Sequence, residues 1–565
     1  MDRGVDGNRP ALSGRGALLL GAPPLLFLLL FFAYPIASIV GLGLSGGTGP
    51  SAAAGVLDTW LDARTVEVLR FTLWQAALST VLTVAAALPG AYVFARYGFR
   101  GKRLLRAATA VPFVLPTVVV ASAFLALLGP RSPLNDLAAL LGASEPVVRL
   151  EGSLWAILLA HVFYLYAVVL RLVGGVWSNL DPRTEEAARV LGATRWTAFR
   201  QVTLPLLWPA IASAAAIVFL FSFTSFGVIL LLGSPGTATL EVEIYRTTAL
   251  LLDLPVAAAL ALLQLASVLL LLLLYGRLQE RLTIERGLRP AADVTRPVSD
   301  RRSRLVVGAT LGSMGLLLAL PLLVLVERSF ASSGGHGPAA YEALFRAGGR
   351  GGTFVAPVEA IGNSLLFAGA TVILASLLGL MAAAVIAYRR GWSSRGLDAL
   401  LMLPLGTSAV TLGFGFIVAL DQPPLDLRTS PLLIPIAHTL VAMPFVVRAT
   451  VPLIRSIQPR LREAAAVLGA SPRRTWLEVD GPVIARAALV GGGFAFAVSL
   501  GEFGATLFIA RPDVPTVPIA IFRLLGQPGT LNFAQAMAMS TILMGLTAAA
   551  VLFIERWRGE AATAF

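Results

Sequence analysis

Cysteine is absent from this 565-residue chain, which excludes disulfides, thiolate metal centres and a cysteine nucleophile. Lysine occurs once, as Lys102, and histidine three times. Charged residues of all kinds make up 13% of the chain, where a soluble domain uses about a quarter to cover its surface. That scarcity excludes a water-facing exterior over most of the molecule. What fills the space is apolar: 57% of residues are hydrophobic and the mean hydropathy is +0.80. These residues fall in long runs, not in alternating or amphipathic patterns, so their outer face meets lipid. The net charge of +13 comes almost wholly from arginine. The arginines lie between the apolar runs and do not gather on one soluble face, which argues against nucleic acid as a partner. Within the runs there is no pair of carboxylates, no Ser–Lys pair and no set of metal ligands, so an intramembrane enzyme is not indicated.

A helix rising 1.5 Å per residue needs about 20 apolar residues to cross the hydrocarbon core. Runs of that length fall near 17–42, 69–95, 104–128, 153–177, 206–232, 251–276, 305–328, 361–388, 397–420, 431–454, 483–510 and 532–554. The expected fold is therefore an all-α polytopic membrane protein with twelve transmembrane helices. Arginine placement sets the orientation. The connection after the second run carries Arg96, Arg100, Lys102, Arg103 and Arg106, and the one after the sixth carries Arg277, Arg281, Arg286, Arg289, Arg296, Arg301, Arg302 and Arg304. The opposite connections hold Asp58, Asp62, Asp136, Glu145 and Glu151. Every even-to-odd connection is thus expected on the cytoplasmic side, with both termini. Arg3, Arg9 and Arg15 precede a first run too long for a signal peptide, so that run is expected to be a membrane helix.

The chain contains itself twice. At one constant, ungapped offset, His161 meets His438, Arg171 meets Arg448, Glu186 meets Glu463, Gly192 meets Gly469 and Pro205 meets Pro482. Phe226-Gly227 meets Phe503-Gly504, and Ile244-Tyr245-Arg246 meets Ile521-Phe522-Arg523. Each copy has an even number of spans, so the copies share one orientation and are related by a pseudo-two-fold axis along the membrane normal. The expected division is a first permease-like domain over 1–276, an arginine-rich linker with Pro290 and Pro297 over 277–304, and a second domain over 305–565.

The connection after the fourth span of each copy, 178–205 and 456–482, carries the sharpest motif. The first reads Glu186-Ala187-Ala188, three residues, Gly192, nine residues, Val202-Thr203-Leu204-Pro205; the second reads Glu463-Ala464-Ala465, three residues, Gly469, nine residues, Val479-Asp480-Gly481-Pro482. Small alanines let a short helix lie close in a partner's groove, glycine permits a left-handed turn, and proline opens the next helix at little cost. This spacing resembles the EAA loop of binding-protein-dependent ABC importers, E-A-A-x3-G-x9-I-x-L-P, and the second copy departs from it at Asp480-Gly481. The resemblance implies the type I importer permease fold in a bacterial cell membrane. It implies docking of each loop on one of two ATPase subunits and cargo delivery by an extracytoplasmic binding protein. It also implies that ATP and magnesium are used by the partner, not bound here. The chain itself has no P-loop, since Lys102 is followed by Arg103 and position 96 is arginine.

Glu502 lies inside the eleventh run, where a charge costs roughly 3 kcal/mol or more unless it faces protein or water. Two readings stand: Glu502, Ser499, Ser222, Thr224 and Ser225 line the pathway and Glu502 attracts a cationic cargo, or Glu502 makes a helix–helix hydrogen bond. His161 and His438 read as packed, hydrogen-bonded residues, since two histidines with no carboxylate cluster do not make a metal site. The stretches Arg70–Ala76, Leu158–Phe163, Phe223–Gly227 and Thr239–Tyr245 are similar to thiamine permeases. Ferric-iron permeases share the fused plan and the Gly-Glu-Phe-Gly type of stretch, so thiamine is the first expected cargo and ferric iron the second. A proton-coupled secondary transporter is the alternative class; it would not need the paired loops, and only Glu502 speaks for it.

Overall fold

The computed structural model describes residues 14–45, 52–282, 295–332, 335–346, 355–389, 391–421, 423 and 425–558. Arg3 and Arg9 and the linker residues 283–294, with Arg286, Arg289 and Pro290, lie outside the described residues. Among the described residues eleven helices are long and apolar enough to cross a membrane, and a pair bent by 97°, Ser394–Gly406 and Ala409–Ala419, is a twelfth candidate span. Outward leucines such as Leu269, Leu270, Leu273 and Leu274 are more than half exposed, as side chains facing lipid should be.

Four of the expected runs are not continuous helices. The third is broken into Lys102–Ala108, Val111–Val114 and Thr117–Leu128. Pro116 forces Leu115 into extended backbone (φ −61°, ψ 139°), which ends the helix before it. The ninth breaks at the corresponding place, where Ser408 caps the backbone N–H groups of Val410 and Thr411. The fifth and eleventh end at Phe223 and Gly501, and each is followed by a separate short helix, Gly227–Leu232 and Gly504–Ile509. Two further helices, Leu240–Ala249 and Val517–Leu525, stand in connections that hydropathy left unstructured.

The repeat is carried through to the backbone. The loop helices Pro182–Val190 and Pro459–Val467, the turns Arg195–Ala198 and Pro472–Thr475, and the π-helical turns Phe199–Thr203 and Trp476–Asp480 all correspond at the offset that pairs His161 with His438. The second and eighth spans end at Arg96 and Tyr388, and Thr117 corresponds to Ala409, so this earlier part of the repeat runs at a larger offset than the loops do. The first copy holds the difference in the connection after Leu128, where the helix Pro133–Leu140 is inserted.

The first helix of each half bridges the two halves. Span 1 (Arg15–Leu44) packs on span 6 (Leu254–Leu282) of its own half and on spans 8 and 9 of the other; Leu28 shares a core with Phe367, Ala382 and Leu440. A Cβ at Gly415 would meet Pro35 at 3.0 Å and Ile39 at 3.2 Å, so glycine permits this close crossing. Span 7 (Arg301–Ser329) does the same, packing on Thr530–Arg558 of its own half and on Thr117–Leu128 and Ala63–Arg96 of the other. Each half therefore completes its apolar surface with a helix of the other.

Candidate functional site

Both loops with the paired motif form a short helix, a left-handed glycine and a second short turn. Gly192 has φ +93° and Gly469 φ +80°, with open space around both, so the backbone conformation and not crowding calls for glycine. Pro182 and Pro459 open the helices, and Pro205 and Pro482 open the spans that follow. Ala187 and Ala464 are exposed, Ala188 and Ala465 half-buried, in the same places on the two helices. Each helix ends in two protruding apolar side chains: Val190 and Leu191 are both 88% exposed, Val467 and Leu468 both 86%. These apolar tips stand at matching positions on the two loops, next to the left-handed glycines. Glu186 is exposed and its Oε1 accepts a hydrogen bond of 2.6 Å from Arg296, in the linker; there Arg296-Pro297 pairs in parallel with Tyr97-Gly98. Glu463 holds the matching place on the second helix.

Each loop helix is tied to the span it precedes by one contact, and the chemistry differs between copies. In the first, Thr203 Oγ1 donates to Glu185 at 3.1 Å. In the second, the same two positions are Arg462 and Asp480, joined by hydrogen bonds of 2.5 to 3.1 Å. Arg462 also donates to the Tyr388 hydroxyl at 3.1 Å. Burial works to lower the Arg462 pKa, but the Asp480 hydrogen bonds and charge more than reverse this, so it is raised and the guanidinium stays charged. The departure at Asp480-Gly481 is thus compensated within the loop. The complementary change at Arg462 is the signal that sequence reading missed.

Three of the expected pathway residues, Ser225, Ser499 and Glu502, lie in two related polar networks, one within each half. In the first, His161 Nδ1 is 2.8 Å from Ser79 Oγ and Nε2 is 3.0 Å from Ser225 Oγ. In the second, His438 lies 2.7 Å from Ser499 and 2.8 Å from Thr506, and Ser499 donates to Thr371 at 3.3 Å. Glu502 caps the helix Gly504–Ile509: its carboxylate accepts from the N–H groups of Ala505 (2.8 Å) and Thr506 (2.9 Å) and from the Thr506 hydroxyl, with His438 Nε2 at 3.4 Å. Ser222, Ser225, Ser499 and Glu502 are all buried, and Thr224 is half-buried, bonded to Leu220 C=O. These hydrogen bonds form a local cap, and His438 is the neighbour that another span contributes. Glu241, which sequence reading quoted without a role, is fully buried and joins the halves. It accepts from Gln264 at 2.9 Å and from Ser408, the cap at the bend of span 9.

Next to these networks four aromatic rings cluster around one stacked pair. Phe226 and Phe503 face each other at 5.8 Å between centroids and 23° between planes. Phe226 packs edge-on against Tyr245 at 5.7 Å, and Phe503 lies tilted by 56° against Phe522 at 5.6 Å. Phe508 adds a fifth ring beside Tyr245 at 5.7 Å. Tyr245 and Phe508 also line a cavity of about 570 Å³, with Leu42, Thr248, Asp421 and Arg428 among its walls.

A bundle of twelve candidate spans in two equivalent halves, meeting at an axis and carrying two matched loops on one face, is the architecture of a transporter permease. The chain belongs to the family described as binding-protein-dependent transport system inner membrane component, which matches residues 79–284 and 375–557, once in each half. It is 27% identical over 532 residues to the thiamine transport system permease protein ThiP of Brucella abortus, covering 94% of this chain and 93% of that one. It is 28% identical over 484 residues to ThiP of Escherichia coli K12, covering 83% and 85%. The sulfate transport system permease protein CysT of Salmonella typhimurium is 30% identical over 264 residues, 46% of this chain and 90% of CysT. A crystal structure of a bacterial ABC transporter importing the acidic polysaccharide alginate covers 48% of this chain and 97% of its own, at 19% identity and a TM-score of 0.40. The family consists of transport permeases, not of enzymes, and it sets the secondary-transporter alternative aside.

Proposed function

We propose that this chain is both halves of the membrane pathway of an ATP-driven importer, and that it grips two copies of a separate ATPase subunit through 178–205 and 456–482. The carrying observation is the doubled loop: one helix–glycine–turn design, built at matching positions of both halves, each copy presenting two apolar side chains to solvent. Glu186, Ala187, Ala188, Gly192 and Pro205 form the first docking element, and Glu463, Ala464, Ala465, Gly469 and Pro482 the second. Residues 1–276 and 305–565 act as the two permease domains and 277–304 as the linker. The loops and both termini face the cytoplasm, and a binding protein delivers cargo to the opposite side. ATP and magnesium act in the partner.

The cargo is thiamine, ahead of ferric iron. The reading is supported by the full-length relatives that carry the thiamine name and by the aromatic lining of the axis. Replacing Glu186 and Glu463 together by alanine tests the docking. ATP-dependent uptake should be lost while the chain still inserts and no longer retains the ATPase on purification. Full transport by the double variant would refute it.

A further inference from the structure

The stacked pair and its two flanking rings assign a selective throat to the pathway. Phe226 and Phe503 are each other's repeat mates, at the offset that pairs His161 with His438, and so are Tyr245 and Phe522. A residue and its own mate can touch only where the two halves meet on their pseudo-two-fold axis. The Phe226–Phe503 contact therefore lies on the axis, and the axis is the route between the halves. The pair closes it: Phe226 is 6% exposed and Phe503 2%. Glycine follows each phenylalanine. A Cβ at Gly227 would come within 3.1 Å of the Phe503 ring and 2.5 Å of Thr117 Oγ1, so the side chain is missing where the opposite ring approaches.

We propose that Phe226 and Phe503, backed by Tyr245 and Phe522, are the specificity-determining gate, and that they pass a flat, cationic, aromatic solute between their ring faces. Two faces that sandwich a planar ring stand about 7 Å apart, two van der Waals contacts. A modest spreading of the near-parallel pair admits such a ring, whereas a hydrated metal ion or a sugar needs a wide pore. The π-faces attract a cation without any fixed carboxylate at the contact. The cavity beside Tyr245 and Phe508, about 570 Å³, is of the size that holds a small organic molecule. The inference rests on the reading of the chain as an importer permease with its pathway on the axis.

The chain has no cysteine of its own, so a single one reports its own accessibility. The test uses the complete transporter with its ATPase and binding protein in proteoliposomes. Phe226→Cys and, separately, Phe522→Cys should react slowly with a small methanethiosulfonate reagent at rest and at least tenfold faster during ATP turnover. Equal rates at rest and in turnover for both variants would overturn the gate. Uptake of labelled thiamine should fall about tenfold in Phe226→Leu and in Phe503→Leu and be retained in the Tyr variants. Leucine performing as well as tyrosine would overturn recognition by ring faces. If the unmodified transporter takes up no thiamine, the cargo reading fails, and the accessibility measurement still decides the gate.

Discussion

Truncating the apolar tips of one loop helix isolates docking from folding. Val190 and Leu191 are both 88% exposed and, among the described residues, belong to no core cluster, so replacing both by alanine should leave the melting temperature of the chain unchanged. A partner that covers them would lose two carbons at Val190→Ala and three at Leu191→Ala. At about 0.8 kcal/mol per buried CH2 this amounts to about 4 kcal/mol for complete burial. Docking surfaces bury such tips partly, so about 2 kcal/mol, or about thirtyfold in affinity, is the expected loss per loop. Val467→Ala with Leu468→Ala should cost the same at the second loop, and the fourfold variant should release the ATPase altogether. The assay is retention of the ATPase subunit on the immobilised permease in detergent, with thermal unfolding by tryptophan fluorescence as the control. Undiminished retention by the fourfold variant would refute the claim that these helices are the docking surface. A fall in melting temperature matching the loss of retention would show that the tips support the fold instead.

Arg462 is part-buried and Asp480 buried, so Asp480→Ala should destabilise the chain by about 1–3 kcal/mol through the lost charge-assisted hydrogen bonds, and Arg462→Ala with Asp480→Ala by clearly less; a double-mutant cycle in chemical or thermal unfolding reads this coupling. Thr203→Ala, at the matching position of the first loop, loses one part-buried hydrogen bond and should cost about 1 kcal/mol in the same unfolding assay. Gly192→Ala and Gly469→Ala each impose a left-handed alanine at about 1–2 kcal/mol, felt in ATPase coupling, and neither should clash, since no described atom lies near the added Cβ. Glu502→Gln keeps one acceptor for the N–H groups of Ala505 and Thr506 but loses the charge, so stability should fall by about 1–2 kcal/mol. A variant with wild-type melting and impaired uptake would return Glu502 to the pathway.

The parts of this molecule that sequence reading reached are those fixed by local composition or by identity between copies. Hydropathy located the spans because length and apolarity are all that a bilayer requires of a helix, and the matched motifs located the loops because fixed spacing survives in both copies. Helix breaks escaped sequence reading. Pro116 enforces the break in span 3, which the apolar run 104–128 hides, and the equivalent bend of span 9 depends on Ser408, whose capping role is settled by Glu241 reaching across from the other half. The bridging of the halves by spans 1 and 7 left no mark, since a lipid-length apolar helix reads the same whichever half it leans on. The aromatic throat shows the limit most sharply. Phe226-Gly227 and Phe503-Gly504 were already aligned as mates, but alignment places two residues at equal distances from an axis without saying what that distance is. Only the folded halves bring that distance down to ring contact, and this contact turns a repeated dipeptide into a gate.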